Sequence, residues 1–141
     1  MSAAPVSRQG RSTPTRIAIK VPSLPASVPQ LRREATAFAR ANGASEQLAL
    51  DIALVVSEAV TNAVKYAYDS DRRGEVELLA EVADGFLEIA VRDTGAGFGS
   101  GSSDGLGLGL SIIARLSAEM SVVQAGDGTE VRMRFALSGG G

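Results

Sequence analysis

The stretch DIALVVSEAVTNAVKYAYD, residues 51–69, predicts one long amphipathic helix that carries Glu58 and Asn62 four residues apart. Residues at i and i+4 project from the same helix face, so this carboxylate and this carboxamide point at one spot. We predict that the apolar face lies opposite the pair, with the spacing of a helix packed on a sheet: Ile52, Val55, Val56, Ala59 and Ala63. A solvated polar stripe has the same appearance, so the meaning of the pair depends on the segments that follow.

Composition excludes several kinds of chemistry. The 141 residues suffice for one domain with a real core, and the net charge of −2 argues against a protein that binds duplex DNA. The chain has no Cys and no His. Disulfides, thiolate or zinc–cysteine sites, histidine acid–base catalysis and phosphohistidine on this chain are therefore excluded.

The two ends of the chain predict no targeting segment. Residues 1–14 hold Arg8 and Arg11 among Ser, Pro and Gly without an apolar run, which indicates a disordered arm rather than a signal peptide. Residues 138–141 indicate a flexible tail. No run approaches 18 consecutive apolar residues, so we expect no transmembrane helix and a cytoplasmic location.

The order of the predicted elements indicates a layered fold over residues 15–137. Strands are predicted by alternation over residues 15–21, 75–83, 86–93, 120–124 and 130–137. Helices are predicted over residues 28–42, from Ser45 through the opening stretch, and over 108–118. We expect an α/β (α+β) two-layer sandwich, with a mixed, mostly antiparallel sheet and three helices on one face.

Local signals set the boundaries of several elements. Ser27 is a predicted N-cap of the first helix, and Asn42 followed by Gly43 predicts its end. Ser45 is a predicted N-cap of the second helix. The Asp84-Gly85 pair between two alternating runs predicts a tight β-hairpin.

A glycine-rich stretch, TGAGFGSGSSDGLGLG at residues 94–109, follows the strand that ends in Asp93. Glycine lets the main chain approach a ligand closely, and the unpaired N–H groups of a helix start favour an anion. A phosphate near Gly107, Leu108 and Gly109 would use both features, whereas composition alone also allows a flexible linker. The stretch lacks the Gly-Lys-Ser/Thr of a P-loop.

Three side chains have suitable chemistry for a nucleotide. The Asp93 carboxylate only accepts hydrogen bonds, so an exocyclic amine such as that of adenine suits it, although an ordinary turn aspartate is the alternative. Asn62 offers a neutral oxygen to Mg²⁺, and Glu58 could position or deprotonate an attacking hydroxyl.

Four motifs occur in the order found in one superfamily of ATP-binding domains. They are ExxxN at residues 58–62, DTGAGF at 93–98, GLGLGLSII at 105–113 and GTEVRMRF at 128–135. Together they resemble the GHKL superfamily, which includes gyrase, histidine kinases and MutL and has the Bergerat-type ATP-binding fold. Within it, SEAVTNAVKYAY at residues 57–68 resembles the anti-sigma factor serine-protein kinases.

This resemblance implies a role for each matching residue. Glu58 would be the base for the substrate serine, Asn62 would hold Mg²⁺, and Arg32 would lie in the region that contacts partners. Residues implied at ATP are Asn62, Lys65, Asp93, Gly95, Gly97, Gly105, Leu106, Gly107, Leu108, Gly109 and Thr129. Two departures from the family pattern are Tyr66, where histidine is usual, and a short lid between Phe98 and Gly109.

The resemblance also implies a function. We expect an ATP- and Mg²⁺-dependent serine-protein kinase that phosphorylates an anti-anti-sigma (STAS-type) protein and regulates a sigma factor. The expected state is a homodimer, with residues 15–21 as an edge strand, and without direct nucleic-acid or membrane binding. The alternatives are a non-catalytic ATP/ADP-binding switch, and a histidine-kinase-like ATPase domain acting in trans.

Overall fold

The computed structural model describes residues 14–69, 74–93, 115–117, 119–125 and 128–137. These residues form two helices, α1 (Ser27–Ala41) and α2 (Glu46–Asp69). The five strands are β1 (Arg16–Pro22), β2 (Glu75–Ala83), β3 (Phe86–Asp93), β4 (Glu119–Ala125) and β5 (Gly128–Ala136). The order of these elements is the predicted one, and the α+β class is confirmed.

The strands form one sheet in the order β1-β2-β3-β5-β4, and every neighbouring pair is antiparallel. The predicted mixed sheet is therefore wrong for the described strands. Hairpin-type connections join β2 to β3 and β4 to β5, so each of these pairs is antiparallel. Helices α1 and α2 connect β1 to β2, which lies beside it and runs in the opposite direction. Most of the predicted third helix, residues 108–118, lies outside the described residues, where only Arg115 and Leu116 are seen to be helical.

The helix caps follow the predictions with one exception. Ala26, not Ser27, occupies the N-cap of α1, because the Ser27 hydroxyl donates to the Pro22 carbonyl and is buried within the first turn. At the start of α2, the Leu48 N–H donates to Ser45 Oγ at 3.1 Å, which confirms that cap. Gly43 follows α1 with φ of +95°, a left-handed conformation that glycine adopts without cost.

The β2–β3 hairpin forms as its turn residues predict. Asp84 and Gly85 both have positive φ, of 56° and 81°. This is the pattern of a type I′ turn, whose twist matches that of the flanking strands. The turn sets the register in which Ala83 faces Phe86 and, at the far end of the pair, Val76 faces Asp93.

The core lies between the two helices and one face of the sheet, here called the inner face. The inner face carries alternating buried residues of the three central strands: Val76, Leu78, Leu87, Ile89, Val91, Val131, Met133 and Phe135. Helix α1 contributes the predicted inward residues, which are all buried: Leu31, Ala35, Phe38 and Ala39. The opposite, outer face of the sheet is largely charged.

Helix α2 is the central element of this core. Over Glu46–Lys65 it has the length and mean hydropathy, 1.4, of a membrane-spanning helix, but half of that segment is buried inside the domain. It packs against α1 and against β2 and β3. Its apolar character is therefore accounted for by the core.

Replacing Ile89 by Ala should reveal how far the core depends on the central strand. Ile89 is fully buried on β3, so the variant should lose about 2–5 kcal/mol of unfolding free energy in urea titrations. The control is Val123→Thr on β4, where the side chain is 42% exposed and the β-branch is kept, and which should change stability by less than about 0.5 kcal/mol. Equal losses for the two variants would refute this placement of the core.

Candidate functional site

Asp93 and Thr129 face each other across two central strands. They are register partners in the β3–β5 ladder, and both side chains lie on the inner face, 0% and 1% exposed. Asp93 follows Val91 on β3, and Thr129 precedes Val131 on β5, in the series of alternate residues that face the core. Asp93 and Thr129 are 36 positions apart in the chain, and the resemblance implies that both bind the nucleotide. The sheet brings them together.

Asn62 is buried in the packed face of α2, which corrects the predicted orientation of the helix. Its side chain is 6% exposed and follows Val55 and Ala59 at i+7 and i+3, the spacing of one helix face. The apolar face therefore includes Asn62 instead of lying opposite to it. The i+4 relation to Glu58 remains, but Glu58 lies at the margin of this face and is partly exposed.

The buried Asn62 amide has an unusual hydrogen-bonding state. Its Nδ2 atom is buried and has no hydrogen-bond partner among the described residues. A buried polar group left without a partner costs about 1–3 kcal/mol, so such groups are few in folded proteins, and Ser23 Oγ is the other such side-chain atom among the described residues. A polar ligand at this point of α2, the helix that packs on β2 and β3, would supply the missing partner.

The structure describes two further residues of the predicted site. Lys65 is exposed on α2, one turn past the pair, and Arg32 on α1 donates to Ser57 Oγ at 3.4 Å. The remaining predicted ligand contacts lie outside the described residues and stay predictions: Gly95, Gly97, Gly105, Leu106, Gly107, Leu108 and Gly109.

A charged network on the outer face lies directly behind Asp93 and Thr129. Arg92 and Glu130, the chain neighbours of those two residues, are register partners of each other. Arg92 donates to Glu130 Oε1 through Nε and Nη2 at 3.1 and 2.8 Å, and Arg132 donates to Glu130 Oε2 through Nε at 2.9 Å and through Nη2. Arg92 also reaches Glu77 on β2 at 3.4 Å.

This network holds Glu130 in its charged form. Burial raises the pKa of the Glu130 carboxyl, but hydrogen bonds and charge interactions with Arg92 and Arg132 outweigh burial, so the pKa lies below its usual value. The sequence reasoning missed the network. Alternation gives the position of each residue within its own strand, but only the strand order and register show that Arg92 and Glu130 are opposite each other.

The outer face of the sheet carries a concavity on the side away from the predicted site residues. A depression of about 280 Å³ lies on the outer face, and its lining includes Arg16, Leu79, Glu88, Ala90 and Arg132. It is separated from Asn62, Asp93 and Thr129 by the sheet itself. The inner-face cluster of buried polar residues is therefore the candidate site.

The sequence of residues 21–135 matches the family of histidine kinase-like ATPase domains, over most of the chain. The chain belongs to this family. Its members are ATPase domains, so the relevant nucleotide for the buried polar cluster is ATP. The match includes α1, α2 and the four residues discussed above: Glu58, Asn62, Asp93 and Thr129.

Two curated proteins are similar to parts of this chain. An anti-sigma F factor of Shouchella clausii is 47% identical over 47 residues, which are 33% of this chain and 32% of the relative. The serine-protein kinase RsbW of Bacillus subtilis is 38% identical over 82 residues, 58% of this chain and 51% of the relative. The chain thus spans about half, or less, of the curated relatives that it matches.

A solved structure supports the fold independently. The RsbU and RsbW domains of Rv1364c from Mycobacterium tuberculosis superpose with a TM-score of 0.70 at 23% identity. The match covers 86% of this chain and 32% of the other. At this identity the comparison establishes the shared fold.

The Glu130 network should make stability depend on pH in one direction. Because the folded pKa of Glu130 is lowered, its contribution is complete above the unfolded pKa and is lost as pH falls through the folded one. Glu130→Gln should therefore lower the free energy of unfolding near neutral pH. The loss is only about 1–2 kcal/mol because both arginines are half exposed and water screens their charges. The difference in unfolding free energy between variant and wild type should shrink below about pH 4.

Urea titrations at several pH values measure this effect. The control is Glu88→Gln, an exposed carboxylate on the same sheet face with no ion pair among the described residues. Its stability gap from wild type should stay within about 0.5 kcal/mol at every pH. A gap for Glu130→Gln that is constant or widens in acid would contradict the assigned network.

Proposed function

We propose that this chain is an ATP- and Mg²⁺-dependent serine-protein kinase of the anti-sigma type. Its substrate is an anti-anti-sigma (STAS-type) protein, and it also regulates a sigma factor. The observation that carries the proposal is the buried Asn62 Nδ2, which has no partner among the described residues and lies on the same helix as a partly exposed Glu58 one turn earlier. The names of the curated relatives, an anti-sigma factor and a serine-protein kinase, supply the reaction class.

The buried polar residues fit a magnesium nucleotide. A carboxamide has one carbonyl oxygen, suited to Mg²⁺, and one amino group, suited to a phosphate oxygen or a metal-bound water. Asn62 would therefore hold the ion against the phosphates. When bound, Mg²⁺ neutralises charge that develops on the transferred phosphoryl group. The glycine-rich residues 95–109 are proposed to complete the phosphate site.

Asp93 and Thr129 suit the base of the nucleotide. The exocyclic amine of adenine is a hydrogen-bond donor, which a carboxylate accepts, whereas guanine carries a carbonyl oxygen at the same ring position. Thr129 lies directly opposite on β5 and can both donate and accept. The pair would thus favour adenine over guanine nucleotides.

Glu58 is the proposed general base. Its carboxylate is partly exposed, so a hydroxyl on a second protein can reach it, whereas Asn62 one turn further is covered. Glu58 accepts the proton of the substrate serine as the serine oxygen bonds to the γ-phosphorus of ATP, and the bond from that phosphorus to the β–γ bridging oxygen breaks to release ADP. A general base of this kind contributes about 10²–10⁴-fold to rate.

The proposal extends to the location of the protein, its oligomeric state and its partner contact. We propose a cytoplasmic protein that acts as a homodimer and contacts its partner near Arg32. The guanidinium of Arg32 is oriented by Ser57, the residue before Glu58. A partner held there would be adjacent to the base.

Two substitutions in α2 should separate nucleotide binding from phosphoryl transfer. Asn62→Ala should abolish Mg²⁺-dependent ATP binding in calorimetric titration, because it removes the group proposed to hold the ion. Glu58→Gln should keep ATP affinity within about two-fold but lower the phosphorylation rate of the STAS-type partner by about 10²-fold or more.

The control for these substitutions is Asp51→Asn, the same exchange of carboxylate for carboxamide two turns earlier on α2, which should leave both measurements unchanged. Binding of ATP without any Glu58-dependent transfer would identify a nucleotide-binding switch instead of a kinase. Phosphate that is lost from the partner in acid would indicate phosphohistidine, and the serine kinase would then be ruled out.

A further inference from the structure

Asp93 is the last residue of β3 and belongs to the last rung of both ladders that β3 forms. It faces Val76 on β2 and Thr129 on β5, and the register of each strand pair stops at that rung. The ends of paired strands open at a small free-energy cost, because a terminal rung has a neighbouring rung on one side only. Backbone pairing alone therefore constrains Asp93 less than it constrains the middle of the strand.

One rung earlier, Arg92 ties β3 to the strands on both sides. Arg92 Nη1 donates to Glu77 Oε1 on β2 at 3.4 Å, and Arg92 Nε and Nη2 donate to Glu130 Oε1 on β5 at 3.1 and 2.8 Å. Both glutamates are register partners of Arg92. Its guanidinium therefore joins three adjacent strands at the rung next to Asp93.

The Arg92 contact differs from an ordinary surface ion pair. Such pairs contribute little because two flexible, solvated side chains must be ordered to make them. Arg92 is 47% exposed, but the side chains of Glu77 and Glu130 that it joins are only 16% and 8% exposed. Glu130 is also held by Arg132 from its own strand. The guanidinium thus binds to carboxylates that are largely covered.

The opposite end of the sheet lacks this arrangement. There, Glu88 of β3 lies between Glu81 and Arg134 in the register, and it forms no ion pair with either neighbour in the part of the chain that the structure describes. Arg134 pairs instead with Glu119 at 3.3 Å, and that carboxylate is 69% exposed. Among the described residues, the contact that spans three strands is therefore found beside the candidate site.

We infer that Arg92 is a positioning residue for the recognition of adenine. By joining β2, β3 and β5 beside the last rung, it fixes the backbone that carries the Asp93 carboxylate. The inference rests on the proposed function for the assignment of Asp93 to the exocyclic amine of adenine. Arg92 lies on the outer face, so it acts through Asp93 and not by contact with the nucleotide. Recognition of this kind requires the binding group to be held within about 0.5 Å of its productive position.

Loss of the Arg92 contact should affect recognition of the base and spare the rest of the nucleotide. Asn62, proposed to hold Mg²⁺ against the phosphates, lies on α2 and on the other side of the sheet from Arg92. The suitable probe is purine riboside 5′-triphosphate, which is ATP without the exocyclic amino group. The Kd of this analogue divided by the Kd of ATP measures what the amine contributes, and this quotient is here called the amine ratio.

The test is calorimetric titration of the full chain with both nucleotides in the presence of Mg²⁺. Arg92→Leu should raise the Kd for ATP about five-fold or more and leave the Kd for the analogue within about two-fold, because only the hydrogen bond to the amine is weakened. In an Asp93→Ala background, the same substitution should change neither Kd by more than about two-fold, since the group through which it acts is absent.

The matched control is Arg134→Leu, the same exchange at another ion-paired arginine of the outer face. It should keep the amine ratio of wild type. Unchanged affinity for the analogue shows that Arg92→Leu is folded. If Arg92→Leu does not fold, Glu77→Gln replaces it, because this variant weakens the β2 side alone, and it should lower the amine ratio about two-fold or more. An unchanged ratio in the folded variant would overturn the inference.

The remaining outcomes separate the positioning role from the kinase. Equal weakening of both nucleotides by Arg92→Leu would indicate a purely structural role, and it would overturn the inference while leaving the kinase in place. An amine ratio of one in wild type would also overturn it, because Asp93 would then not recognise the amine. If the ratio shifts as expected but no STAS-type protein is phosphorylated, the kinase fails and the inference stands. Absence of any ATP binding would refute both.

Discussion

The burial of a carboxamide in the packed face of α2 is the constraint on which the rest of the candidate site depends. At the Asn62 position the helix spacing calls for an apolar residue, as at Val55 and Ala59. The strands repeat the pattern, since Asp93 and Thr129 stand where the buried alternation calls for apolar residues. A buried polar group opposes folding unless it finds a hydrogen-bond partner, and Asn62 Nδ2 finds none among the described residues.

The two faces of the sheet are coupled through the period of two in β3 and β5. Arg92 and Glu130 form their ion pair on the outer face, and their neighbours Asp93 and Thr129 therefore meet on the inner face. A slip of one residue would reverse both arrangements at once. The charged network thus favours the register that the inner site needs, although none of its members can touch a nucleotide on the inner side.

Local chemistry explains what could be predicted from the sequence. The Asp84-Gly85 turn and clear alternation predicted the limits of β2 and β3, and Ser45 predicted the start of α2. The rotation of α2 could not be predicted, because the spacing of Glu58 and Asn62 is the same whichever side faces the sheet. The Arg92–Glu130 contact joins residues 38 apart, so only the strand order reveals it.

The course of α2 bears on how the proposed kinase would accept a nucleotide and a protein. The residues proposed to bind the nucleotide, Asn62, Asp93 and Thr129, are buried. Leu50 and Leu54, earlier on the same helix, are exposed. Glu58 lies between these two environments. A base at this boundary suits a reaction in which ATP enters from the core side and a protein hydroxyl arrives from solvent.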